Sequence, residues 1–179
     1  KVFHCAFIDN RSGGSGGAYN GVTAEFSHCV FTNNSAAFSA GAVYGGGRYC
    51  ACEFVNNVAE YTGSAAGGGG GAHSGPAVDT LFEDCLFLSN RVTSTTAYGG
   101  AIFWAGANPS VCLITNCTFA SQLAPSYAVV GYGKNASAGV FAECTFDGNL
   151  ATNEKAGRLF YFVGDFHCAE LGQHSAAAV

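Results

Sequence analysis

The chain has 179 residues, with seven Lys plus Arg against twelve Asp plus Glu and a formal charge of −5. Charged residues make up 11% of it, under half the usual share of about 25%, and the acidic balance argues against a nucleic-acid partner, whose phosphates call for clustered Lys and Arg. Hydrophobic residues reach 49%, too many for a disordered tail, yet no apolar run approaches the ~18 residues of a membrane span. The opening Lys1-Val2-Phe3-His4-Cys5 is neither a start methionine nor a signal peptide, so a mature or trimmed segment is expected.

In chain order, one pattern of Cys, any residue, Phe, two residues and then Asn or a near relative returns six times. It runs Cys5-Ala6-Phe7-Ile8-Asp9-Asn10, Cys29-Val30-Phe31-Thr32-Asn33-Asn34, Cys52-Glu53-Phe54-Val55-Asn56-Asn57 and Cys85-Leu86-Phe87-Leu88-Ser89-Asn90. Cys117-Thr118-Phe119-Ala120-Ser121-Gln122 and Cys144-Thr145-Phe146-Asp147-Gly148-Asn149 follow, and His167-Cys168 reads as the start of a seventh copy. Most copies are followed by small residues and a short apolar stretch: Gly16-Gly17-Ala18-Tyr19, Gly41-Ala42-Val43-Tyr44, Gly70-Gly71-Ala72-His73 and Gly99-Gly100-Ala101-Ile102-Phe103. Ala128-Val129-Val130 and Gly157-Arg158-Leu159-Phe160-Tyr161 fill that slot in the last two copies, and residues 63–75 read as the most loop-like stretch.

Each repeat holds short β-prone runs broken by Gly, Asn and Ser, and nothing reads as a long amphipathic helix. Side chains alternate along a strand, so Cys and Phe two residues apart share a face, and that face must be interior. A repeat that cannot bury its own apolar face buries it against its neighbours. The pattern predicts an all-β fold, a parallel β-solenoid over residues 1–179 with one coil per repeat, about six to seven coils and roughly 30 Å tall at ~4.8 Å per coil. Three internal columns are expected. Cys5, Cys29, Cys52, Cys85, Cys117 and Cys144 form a small polarizable one, and Phe7, Phe31, Phe54, Phe87, Phe119 and Phe146 an aromatic one. Asn10, Asn34, Asn57, Asn90 and Asn149 form an amide column at the strand ends, with Gln122 substituting in the fifth copy.

The paired Phe-x-x-Asn and Gly-Gly-Ala-apolar motifs resemble the repeats of polymorphic outer membrane proteins, β-helical surface proteins of chlamydiae. The resemblance covers nearly the whole chain, with copies five and six lacking a clean Gly-Gly-Ala. It implies a right-handed parallel β-helix of the pectin-lyase-like kind, at the cell surface or outside the cell, with adhesive or structural roles ahead of catalysis.

Few residues offer chemistry. A reduced, buried cysteine ladder is favoured over stapling of coils by disulfides, although one coil step is near the lower limit of disulfide reach. Cys50 and Cys112 lie outside the ladder, share a corner position in this reading, and are the better disulfide candidates; Cys50 and Cys52 are too close along one strand to pair. The residue before each ladder Cys forms an outward polar column: His4, His28, Ala51, Asp84, Asn116, Glu143 and His167. On a strand it faces away from its Cys, so no His–Cys dyad is expected. His4 and His28 are within reach of one metal ion, but Ala51 interrupts the column, and a solvated face is favoured with no metal or cofactor. Asp84 and Glu143, two coils apart at about 9–10 Å, are the carboxylate pair to weigh for a polysaccharide-cleaving reading, with Asp147, Asp165, Arg158 and Lys134 of uncertain placement. Sequons at Asn33, Asn116 and Asn135 are candidate N-glycosylation sites, while Asn10 is expected inside.

A charge-poor surface suggests that something covers it, and with no polar cap visible the segment is expected to continue into more chain or to dock head-to-tail on a copy of itself. The function expected is a structural subunit of an extracellular or cell-surface fibre or adhesin; the alternative is a carbohydrate-binding or carbohydrate-cleaving β-helix. An ice-binding face is disfavoured, because Thr93, Thr95 and Thr96 belong to one coil and form no regular column.

Overall fold

A computed structural model describes residues 1–61, 68–75, 80–94, 97–104, 112–132 and 139–152, and the backbone of 167–168. These residues are all-β: short parallel strands in three sheets, with no helix among them and hence none that could cross a membrane. The chain visits the sheets in rotation. It enters the first at Val2–Phe3, the second at Ala6–Ile8 and the third at Arg11–Ser12, then returns to the first at Tyr19–Ser27.

Each later circuit adds to all three sheets. The second sheet grows through Val30–Thr32, Glu53–Val55, Leu86–Leu88, Thr118–Ala120 and Thr145–Asp147. The third grows through Ser35–Ala36, Val58–Ala59, Arg91–Val92, Leu123–Ala124 and Leu150–Ala151. In the first sheet Val43–Cys50 is one strand, but the following circuits split there into His73–Gly75 with Thr80–Glu83, Ile102–Trp104 with Cys112–Thr115, and Val130–Tyr132 with Gly139–Ala142. All the longer repeats therefore interrupt the first sheet at one recurring place, but in the third repeat most of the extra residues fall earlier, between Val58–Ala59 and His73–Gly75.

Three corners separate the sheets, and the chain turns at each through the left-handed backbone region. The residue before each ladder Cys, from His4 to Glu143, has φ between 49° and 55°. The residue before each ladder amide (Asp9, Asn33, Asn56, Ser89, Ser121, Gly148) has φ between 54° and 56°. Gly16, Ala40, Gly70, Gly99 and Tyr127 form the third corner, with φ from 56° to 74°. A left-handed non-glycine residue costs about 1–2 kcal/mol. Inter-circuit bonds offset this: the N–H groups of His4, His28, Ala51, Asp84 and Asn116 donate to Ser27, Cys50, Glu83, Thr115 and Ala142 carbonyls at 2.9–3.2 Å.

The core lies between the sheets. Phe7, Phe31, Phe54, Phe87, Phe119 and Phe146 stack with centroids 4.6–5.4 Å apart and rings within 10° of parallel. A second column, Phe26, Tyr49, Phe82, Ile114 and Phe141, comes from the first sheet and meets the phenylalanines edge-on, as between Phe26 and Phe31 at 5.2 Å and Phe82 and Phe87 at 5.3 Å. Burying each ring is worth about 1.5–3 kcal/mol, and each aromatic contact adds ~0.5–1.5 kcal/mol.

The Gly-Gly-Ala motif closes the narrow side. A Cβ on Gly17, Gly41, Gly71 or Gly100 would stand 2.1–2.3 Å from a carbonyl oxygen of the next circuit, and the third-sheet backbone crowds it from the other side. The glycines let two backbones approach directly. The seventh copy does not start as its sequence suggests: the backbone register sets Cys168 opposite Phe141, three residues before the ladder position of Cys144.

Candidate functional site

The ladder amides are the most polar part of the interior, and they turn the chain from the second sheet to the third. Asn34, Asn57, Asn90 and Gln122 are all fully buried. Each carbonyl oxygen accepts from the preceding circuit: Asn34 N–H and Nδ2 donate to Asn57 Oδ1 at 3.0 and 3.0 Å, and those of Asn57 donate to Asn90 Oδ1 at 2.9 and 3.0 Å. The second amide hydrogen closes on a phenylalanine carbonyl one circuit back, as from Asn57 to Phe31 at 2.8 Å. Gln122 keeps the run by offering Oε1 to Asn90 at 3.1 and 3.2 Å, but its longer arm turns Nε2 to the carbonyls of Phe87 and Ala120. Asn149 receives only the Gln122 N–H at 2.9 Å and donates to Phe119. Asn10 is exposed, although its place in the column predicts an interior residue, and it donates to Asn34 Oδ1 at 2.8 Å.

The eight cysteines among the described residues are free thiols. Each ladder thiol donates to the carbonyl two residues back, as Cys29 does to Ser27 at 3.3 Å and Cys117 to Thr115 at 3.1 Å. The thiols of Cys52, Cys85, Cys117 and Cys144 also interact in succession. The neighbouring thiol and burial hold Cys52 and Cys85 well above the ordinary thiol range and push Cys117 up to about 12. These are inert thiols, because the thiolate is the reactive form.

Cys50 and Cys112 do not share a position. Register along the first sheet sets Cys50 against Glu83 and Thr115, whereas Cys112 sits against Thr80 and Gly47. The pair is thus two circuits apart and offset by three residues, beyond disulfide reach. Cys50 faces outward and donates to Glu83 Oε2 at 3.7 Å; burial first and the Glu83 carboxylate second raise its pKa. Cys112 is buried in the core, which raises its pKa. Ala51 is a left-handed corner between sheets, so Cys50 and Cys52 do not lie on one strand.

The outward column occupies the corner before the second sheet rather than a strand. Asp84, Asn116 and Glu143 follow one another up it, all exposed, and Asn116 Nδ2 donates to Asp84 Oδ1 at 2.6 Å. Grooves on the described surface are lined by Lys1, Thr23, Ala24, Glu25, Gly47 and Arg48, and by residues around Arg91 and Leu123; Asp84 and Glu143 border neither. Lys134, Arg158 and Asp165 lie outside the described residues. No His–Cys dyad forms at His28: its Nδ1 lies 2.9 Å from Ser27 Oγ while the Cys29 thiol turns inward. Asn33 and Asn116 are exposed at corners, and Asn135 is outside the described residues.

His73 carries a signal absent from the motif reading. It follows a Gly-Gly-Ala, in the inward column of Tyr19, Val43, Ile102 and Val130, and is fully buried. Its Nε2 donates to Gly45 O at 2.7 Å, Tyr49 and Phe82 pack edge-on at 5.4 and 5.1 Å, and Nδ1 has no partner. Burial depresses its pKa to about 4, leaving a neutral ring. A polar residue breaking an otherwise apolar column was the available signal. Comparisons with protein-family models, curated proteins and solved structures find no match.

Proposed function

We propose that the three sheets are the faces of a right-handed parallel β-helix that serves as a structural segment of an extracellular or cell-surface fibre or adhesin, of the kind the polymorphic outer membrane protein repeats suggest. Its working principle is the axial continuation of β-stacking, by further circuits of the same chain or by a second copy set end to end. The observation that carries this reading is the polarity of the amide ladder. From Asn34 to Gln122 each described circuit offers an acceptor oxygen to the circuit before it and N–H donors to the circuit after it. Opposite faces of any circuit are therefore complementary, which favours head-to-tail growth over closed pairing. Exposed Asn33 and Asn116 are the positions at which glycans would decorate the sides.

Electron microscopy of native material tests this. Rods or filaments longer than the ~30 Å of six to seven coils, with a fibre reflection near ~4.8 Å along the axis, are expected. Isolated particles no longer than this chain's own circuits would overturn it.

A further inference from the structure

We propose that His4 and His28 form a binding site for a borderline divalent metal ion such as Zn²⁺, chelated by one imidazole nitrogen from each of two successive circuits. Both side chains leave the same left-handed corner one rung apart, with φ of 51° and 52°. Their backbones are pinned by N–H bonds to Ser27 O and Cys50 O, both 3.0 Å. The ring centroids are 4.9 Å apart and the planes inclined by 37°. Two nitrogens on one Zn²⁺, each at ~2.0–2.1 Å, lie about 3 Å apart. Rings at this separation reach that by rotation about χ2.

Ser27 supplies the supporting contact that imidazole ligands commonly have. His28 Nδ1 lies 2.9 Å from Ser27 Oγ, and the tautomer in which Nδ1–H donates to that hydroxyl places the lone pair on Nε2 of this exposed residue. Adjacent rungs do meet at this corner, as the 2.6 Å bond between Asn116 and Asp84 further along it demonstrates. The Cys5 thiol, next to His4, is turned back to Phe3 O at 3.2 Å and takes no part. Ala51 on the next rung ends the site at two protein ligands, and no group of three or more metal-binding side chains exists among the described residues. Water completes the coordination sphere. The ion clips one circuit to the next, so it stabilises the fold by mass action as its concentration rises.

The intact chain is titrated with Zn²⁺ by calorimetry, with Co²⁺ absorption as a second readout. One ion per chain is expected, with a Co²⁺ spectrum free of thiolate charge transfer. His4→Asn and His28→Asn, which suit a left-handed corner, should each weaken binding at least tenfold, and Cys5→Ser should leave it unchanged. Ala51→His adds a third imidazole in the column and should tighten binding at least tenfold. Absence of binding, binding that survives both histidine changes, or binding lost in Cys5→Ser would each overturn the assignment.

Discussion

Replacing Asn57 by alanine tests whether the amide ladder, rather than apolar burial alone, holds the circuits in register. The side chain is fully buried and makes four hydrogen bonds: Oδ1 accepts from Asn34 N–H and Nδ2, and Nδ2 donates to Asn90 Oδ1 and Phe31 O. In Asn57→Ala two Asn34 donors lose their partner, and the Phe31 carbonyl loses its side-chain bond but keeps its place in the strand ladder with Glu53–Val55. Asn90 Oδ1 keeps its bond from the Asn57 main chain. An orphaned buried donor costs about 1–3 kcal/mol, so the two should cost about 2–6 kcal/mol together. That is a large part of the ~5–15 kcal/mol by which domains are stable. Asn149→Ala is the paired control, with one acceptor bond from Gln122 and one donor bond to Phe119, and should cost about 1–2 kcal/mol. Urea unfolding followed by circular dichroism gives both values, provided the slope m is unchanged. Equal losses at the two positions, or a loss below about 1 kcal/mol at Asn57, would refute the argument that the ladder is cooperative and essential.

Other outcomes follow from the same geometry. Gly71→Ala forces a Cβ to 2.1 Å from Gly100 O and 2.5 Å from Arg91 N, both backbone atoms, and should cost at least about 3 kcal/mol; Gly13→Ala meets nothing within 4 Å and should be neutral or stabilising by up to ~1 kcal/mol, as thermal melts will show. His73 is neutral when folded, with its pKa lowered from 6.5 to about 4 by burial. The unfolded chain therefore binds the proton first as pH falls, and about 3 kcal/mol of stability should be lost between those two values. His73→Phe should remove that slope while wild type retains it in urea titrations across the same range. Maleimide labelling with mass spectrometry should modify exposed Cys5 first and half-buried Cys50 later. Cys52, Cys85 and Cys117, buried with raised pKa values, should react only after denaturation.

The cysteine-phenylalanine-asparagine period was legible because it is local. A two-residue spacing sets which side chains share a face, whatever the loops do. The companion aromatic column was less visible. Phe26, Tyr49, Phe82, Ile114 and Phe141 each precede a ladder Cys by three residues, but their identity varies and their strand belongs to a different sheet from the Cys-x-Phe strand. His4 and His28 were legible as neighbours in a column; their ring geometry and the Ser27 contact were not.

What the amino-acid order determined by itself was the β character, the parallel stacking of like residues and the interior place of Phe and most of the amides, since strand alternation and repetition leave few other ways to bury them. Register across the long repeats was decided only in the folded molecule. Cys-to-Cys steps of 33 and 32 residues, against 24 and 23 before them, conceal where the extra residues leave the sheet. That choice separates Cys50 from Cys112 and moves Cys168 off the cysteine ladder. The left-handed corners were likewise a tertiary matter. His, Ala, Asp, Asn and Glu hold one backbone conformation there because the N–H bonds to the next circuit outweigh the local preference of any of them.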